Sequence, residues 1–243
     1  MNKQFLTFFL VVSVILAMAE NIPVFQFKMN EGEGNTINSS GSASVTVKIS
    51  GNDYEWSLGR MGGKTLGFKN PVKNKLRGNT CVNLKTSKYI NFTKPFSITF
   101  WIKLDKDLRA DSQYTIIGNA KSDHGPGWRM IYGWGSFRFL MGMGTAKTAR
   151  SIIVESSRFP HRKNAWHHIA VTYSGRKCAV YLNGIKTVEA DGMLSAGSTT
   201  MTIGAYSGGY AYGFRGDLSD LAVYDKVISD ESILAEAQGI NPD

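Results

Sequence analysis

Asn164-Ala-Trp-His-His-Ile-Ala-Val-Thr-Tyr-Ser-Gly-Arg-Lys-Cys-Ala-Val-Tyr-Leu-Asn-Gly184 is the stretch that decides the fold. Ile169, Val171 and Tyr173 recur at every second position, which is strand periodicity with one buried face. Ser174-Gly175 interrupts the run, and Cys178, Val180 and Leu182 repeat the alternation. Asn183-Gly184 then supplies the two residues that best tolerate the positive φ of a type I′ hairpin, so Ile185 to Glu189 is expected to return antiparallel. A three-stranded meander of this kind belongs to an all-β protein.

The pattern extends in both directions. Phe96, Ile98, Phe100, Ile102 and Leu104 fall on one face of a strand, with Ser97, Thr99, Trp101 and Lys103 opposite. Strands are expected at Trp128 to Trp134 and Phe137 to Met143, joined by a tight Gly135-Ser136 turn, and at Leu218 to Tyr224. Ser229 is placed to cap a short last helix, with Asp230 and Glu231 in its first turn.

Trp166-His167-His168-Ile169-Ala170-Val171-Thr172-Tyr173 followed by Tyr181-Leu182-Asn183-Gly184 resembles the central signature of the laminin-G-like jelly rolls in the concanavalin A-like lectin/glucanase superfamily. Phe96 to Ile102 is similar to that family's phenylalanine, threonine, tryptophan strand, and Phe214-Arg215-Gly216-Asp217-Leu218 through Val223-Tyr224 to its closing strand. The resemblance spans roughly residues 23 to 238 and implies a two-sheet antiparallel jelly-roll sandwich. It does not choose among sugar binders, glycosidases, adhesion modules and structural domains, since function resides in the site rather than in the fold.

The first nineteen residues have the form of a secretory signal: Lys3, an apolar run from Phe5 to Met18, and Ala17-Met18-Ala19 as cleavage site. The expected organisation is a signal at 1–19 and one jelly-roll domain at 20–243, secreted, periplasmic or at the cell surface. No later run approaches the ~18 apolar residues of a membrane span. The chain carries a formal charge of +9, which favours anionic partners: acidic or sulfated glycans, a phosphate-rich surface, or less readily nucleic acid. A basic surface that is merely solvated accounts for the charge equally well.

Cys81 and Cys178 are the only cysteines. Strand parity turns Cys81 outward beside inward Val82 and Leu84, whereas Cys178 shares a face with Val180 and Leu182, so two free thiols are expected. Two cysteines do not build a zinc site. His167 and His168 are adjacent in a strand and point to opposite faces; one packed and one exposed imidazole is the expectation. His124 and His161 fall in turns without neighbouring ligands.

A glucanase on this fold needs paired carboxylates, commonly Glu-x-Asp-x-x-Glu on one strand, and that spacing is missing. Glu155 and Glu189 are isolated, and no serine or cysteine sits in a nucleophile elbow. The resemblance also implies a structural calcium near an early loop and the last strand. Carried over, those positions are Asn38 and Ser219 in place of aspartate, with Asp217 and Asp220 flanking. Fewer carboxylates weaken such a site.

Sugar binding is the chemistry best represented, because aromatic rings stack on pyranose faces while polar groups read hydroxyls. Trp128, Tyr132 and Trp134 share a strand face flanked by Arg129, and Tyr206, Tyr210 and Tyr212 crowd a glycine-rich loop ahead of Arg215. For the strand the core reading is preferred, because alternate aromatics in a sandwich usually face inward, and for the tyrosine loop recognition is preferred. The expected function is a non-catalytic glycan-binding module; the alternatives are an extracellular protein-adhesion or structural module and a glycan-active hydrolase.

Overall fold

The computed structural model describes residues 21–73, 76–122, 125–144, 150–155 and 162–239. The signal expected at 1–19 lies outside the described residues, as do His124 and His161. Sixteen strands are described, beginning with β1 (Phe25–Phe27), β2 (Thr36–Ser40), β3 (Thr46–Ser50), β4 (Tyr54–Leu58), β5 (Lys64–Lys69) and β6 (Cys81–Lys85). There follow β7 (Phe96–Leu104), β8 (Gln113–Gly118), β9 (Gly127–Gly133), β10 (Ser136–Met143) and β11 (Arg150–Glu155). The series closes with β12 (Trp166–Tyr173), β13 (Lys177–Leu182), β14 (Ile185–Asp191), β15 (Thr200–Ile203), β16 (Arg215–Tyr224) and the helix α1 (Asp230–Ala237).

Neighbouring strands pair antiparallel in the order β11-β10-β9-β8-β15-β6-β3-β2-β1-β16-β7-β12-β13-β14, with β5 also on β16 and β4 on β5. The ladder folds back on itself through β2, so the β11-to-β3 portion lies against the β1-to-β14 portion. Phe96 of β7 meets Trp128 of β9 with ring centroids 5.7 Å apart, and Phe92 meets Trp128 at 5.1 Å. These contacts join the two layers of the jelly roll across one apolar core.

The meander forms as its periodicity requires. Ile169 pairs with Leu182, Val171 with Val180 and Tyr173 with Cys178, and all six side chains are buried in the core. Asn183 and Gly184 both take positive φ, 51° and 83°. The face of β7 opposite the core is buried at one end because α1 and its lead-in lie across it: Ser97 Oγ donates to the Lys226 carbonyl and accepts from the Ile228 N–H. Ala170, Tyr181, Ala222, Tyr224, Ile228 and Ile233 make a second small core beneath the helix. Ser229 caps α1 by accepting from the Ser232 N–H.

That helix corrects the expectation for the paired histidines. They do point to opposite faces, yet both are buried: His167 bonds the Arg162 backbone, and His168 sits against the Trp101 ring with Nε2 3.6 Å from Glu236 Oε2. Both cysteines are free. Cys178 is in the central core, and burial alone raises its thiol pKa strongly. Cys81 faces away from that core as parity requires, but it is covered from outside, and that burial raises its pKa as well.

Candidate functional site

On β9, Trp128, Met130 and Tyr132 face the core while Arg129 and Ile131 face the outside of the layer. The outer face is not bare. The loop 204–213 folds over it and brings the Tyr206 ring to 4.8 Å from the Arg129 guanidinium and the Tyr212 ring to 5.7 Å, which buries this cation almost completely. The two tyrosine rings lie 6.0 Å apart, tilted by 47°.

The loop is clamped at both ends. Asn70, wholly buried, donates from Nδ2 to the carbonyls of Gly204 (3.1 Å), Phe214 (2.9 Å) and Thr80 (3.0 Å), and its Oδ1 accepts from the Thr80 N–H at 2.7 Å. Its middle is pinned where Asn79 N–H and Nδ2 donate to the Gly209 carbonyl. Gly209 has φ 90°, and a Cβ there would stand 2.6 Å from the Asn79 carbonyl oxygen, so only glycine fits this approach.

Between loop and sheet lies a pocket of about 310 Å³. Its floor is Asn83 of β6, Thr200 and Thr202 of β15, Thr115 and Gly118 of β8, and Arg129 of β9. Ala205, Tyr206, Ser207 and Gly208 wall one side, and Asn119, Ala120 and Ser198 the other. Thr202 Oγ1 donates to Asn83 Oδ1 and accepts from the Gly208 N–H, tying loop to floor. Thr115 Oγ1 is buried without a hydrogen-bond partner. The volume is at the small end of the ~300–1,000 Å³ typical of ligand sites, and a surface of hydroxyls, amides, one ring and one cation suits a polyhydroxylated ligand. Among the described residues no Asp, Glu, His or Cys lines the pocket, so the carboxylate pair of glycoside hydrolysis is missing there.

The residues expected to bind sugar divide accordingly. Arg129 and Tyr206 line the pocket; Tyr212 supports Arg129 from behind, and Tyr210 is nearly half exposed outside the lining. Trp128 is only 1% exposed, packed against Phe92, Phe96 and Phe139, and Tyr132 packs on Phe137 in the same core, where burial raises its phenol pKa. Neither reaches a ligand. Trp134 is not on their face: the turn residues are Trp134 and Gly135, with φ 50° and 80°, one position earlier than expected. The slip leaves Trp134 half exposed at the hairpin tip, its ring under the Arg138 guanidinium at 4.7 Å. Arg215 is a fastener, with Nε 2.9 Å from Asp105 Oδ2 and Nη1 donating to the Lys69 carbonyl.

The positions carried over for calcium have partners within the protein. Asp217 is held 2.6 Å from Lys103 Nζ, Asp220 accepts from Ser219 Oγ, and Asn38 Oδ1 accepts from Thr46 Oγ1. Asn38 on β2 and Asp220 on β16 stand on either side of β1, about 10 Å apart at ~4.8 Å per strand. Among the described residues no group of three or more His, Cys, Asp or Glu is placed to hold a metal.

Asn83, Thr115, Asn119, Ser198 and Thr202 were not singled out in the sequence. The usable signal was alternation: Asn83 stands between core residues Val82 and Leu84, and Thr202 between Met201 and Ile203, which marks both as outer-face polar residues.

A laminin G family model described as the concanavalin A-like lectin/glucanases superfamily matches residues 76–234, which include every residue lining the pocket. The chain belongs to this superfamily. Among solved structures, this concanavalin A-like chain is similar to the ligand binding domain of botulinum neurotoxin serotype D in complex with N-acetylneuraminic acid: TM-score 0.64, 16% identity, covering 92% of this chain and 52% of that one. It is likewise similar to the binding domain of botulinum neurotoxin DC in complex with SialylT, with TM-score 0.65, 17% identity and coverage of 90% and 51%. The concanavalin A-like chain thus spans about half the length of these structures, and at such identity the likeness concerns the fold. A comparison with curated proteins finds no match.

Proposed function

We propose that this protein binds glycans through the outer-face pocket and does not cleave them. The observation that carries this reading is the 310 Å³ pocket roofed by the tyrosine loop and lined in part by hydroxyl and amide side chains. Tyr206 offers an apolar face for a sugar ring, and Asn83, Thr200, Thr202 and Ser198 offer groups that read hydroxyls. The lack of a carboxylate in the described lining supports binding without hydrolysis. Toxin binding domains crystallised with sialic acid or SialylT share the fold, which adds general support for a sugar ligand.

Within that reading the preferred ligands are acidic or sulfated glycans. Support comes from the formal charge of +9 and from Arg129 in the pocket lining. The signal-like first nineteen residues support an exported protein that meets such glycans outside the cell. The test is a glycan array followed by calorimetric titration at rising salt. Binding that weakens as salt screens the charges is expected, and Tyr206→Ala should lower affinity roughly tenfold, about 1.4 kcal/mol. Salt-independent binding would remove the acidic preference; no binding to any glycan would leave the adhesion-module reading in its place.

A further inference from the structure

We propose that the tip of the β9–β10 hairpin is a second sugar-binding site, separate from the pocket, where the open face of Trp134 stacks on an uncharged pyranose ring. This site does not depend on the pocket.

Trp134 is 50% exposed, and its backbone takes φ 50°, a left-handed turn conformation that Gly or Asn enters readily and a bulky side chain does not. The fold gains little in return, since the ring lies outside the core. Strain carried by an exposed aromatic is accounted for by a ligand contact and not by packing.

The ring is also held still. The Arg138 guanidinium lies over it, 4.7 Å from the centroid. Arg138 donates from Nε to Ser136 Oγ at 3.0 Å and from Nη2 to Glu155 Oε1 at 3.0 Å, and Ser136 Oγ donates to the same carboxylate oxygen at 2.7 Å. A platform whose position is already fixed loses least on binding. Its chain neighbours leave it clear: these are Gly133 and Gly135, and a Cβ on Gly135 would meet no atom within 4 Å.

The same geometry selects the ligand. Arg138 and Glu155 are paired, and the Ser136 hydrogen bond, followed by Arg138, holds the Glu155 carboxyl below its ordinary range, so the two charges balance. The platform therefore has no net charge with which to prefer an acidic ring. A lipid surface is entered by several adjoining apolar side chains, and a stable protein interface buries ~1,200 Å² or more, whereas here one ring stands between two glycines. One flat aromatic face matches the apolar face of one sugar ring.

The experiment titrates the full chain calorimetrically with short uncharged oligosaccharides of glucose, galactose, mannose, xylose and N-acetylglucosamine, alongside Trp134→Asn and Tyr206→Ala. At least one series should bind, with affinity that changes less than about twofold between about 0.05 and about 0.5 M salt. Trp134→Asn should lower that affinity about tenfold or more and leave the unfolding temperature unchanged or raised, because asparagine accepts the turn conformation. Tyr206→Ala should leave it as it is; a loss in that variant alone assigns the ligand to the pocket and overturns the second site. Silence across the uncharged series overturns it too, and leaves acidic-glycan binding in the pocket to its own test. A lower unfolding temperature in Trp134→Asn makes the ring part of the scaffold and overturns its role as a platform. Binding to phosphatidylcholine vesicles in place of sugars, lost in Trp134→Asn, assigns the tip to lipid and overturns the sugar site.

Discussion

Replacing Asn70 tests the link between the scaffold and the site most directly. The side chain is fully buried; one acceptor and two amide hydrogens serve the Thr80 N–H and three carbonyls, two of which belong to the ends of the tyrosine loop. Asn70→Ala removes about three bonds' worth of pairing at ~0.5–1.5 kcal/mol each and leaves buried groups unpaired, so a loss of ~3 kcal/mol is expected. With a urea slope of ~2–3 kcal/mol/M for a chain of this size, the midpoint should fall by ~1 M or more in equilibrium unfolding followed by far-UV circular dichroism. Asn70→Asp is the sharper perturbation. It keeps the acceptor for Thr80 but turns a carboxylate oxygen toward three carbonyls, so it should cost more than alanine near neutral pH and recover partly in acid, where a protonated carboxyl donates again. Hydrogen exchange at the Gly204 and Phe214 ends should accelerate in both variants. An Asn70→Ala stability change under ~0.5 kcal/mol, or an aspartate variant insensitive to pH, would refute the clamp.

The two tryptophans of the β9–β10 hairpin should separate cleanly. Trp128→Ala opens the inter-layer core and is expected to cost ~3–5 kcal/mol, whereas Trp134→Ala gives up an exposed ring and its Arg138 contact for no more than ~1 kcal/mol; equal costs in urea unfolding would contradict the turn position. Burial, and secondarily the Glu236 carboxylate, raises the Tyr224 pKa above its ordinary 10.0. The unfolded phenol ionises first, so this contribution is fully present below about pH 10 and is lost as pH climbs past it. Tyr224→Phe should flatten the fall in urea midpoint between about pH 9 and 11, and an unchanged slope would count against it.

The meander was legible because its signals are local: period-two alternation and an Asn-Gly pair stand within 21 residues, from Asn164 to Gly184. The buried face of β7 was legible for the same reason. Trp134 was misread because a bulky residue at φ 50° breaks the preference that places Gly or Asn at such a turn position, and a slip of one residue moves a side chain to the other face. His168 was misread because the helix that covers it arrives about sixty residues later in the chain. Asn70 was invisible, since its partners lie 10, 134 and 144 residues away and an asparagine in a basic, turn-rich stretch has no distinguishing pattern. Arg129 and Tyr206 were each noted, but only the folding of the loop across the sheet brings them together.

Cys81 lies directly under the tyrosine loop, and the Cβ that glycine lacks at position 209 would stand 3.4 Å from its sulfur. Cys178 sits between the layers. The two thiols therefore time different events for a small alkylating reagent: lifting of the loop uncovers the first, while the second waits for the layers to part. A chain whose ligand holds the roof down would show the first reaction slow as ligand is added and the second stay in step with overall unfolding, giving a stopwatch for occupancy that needs no label introduced by design.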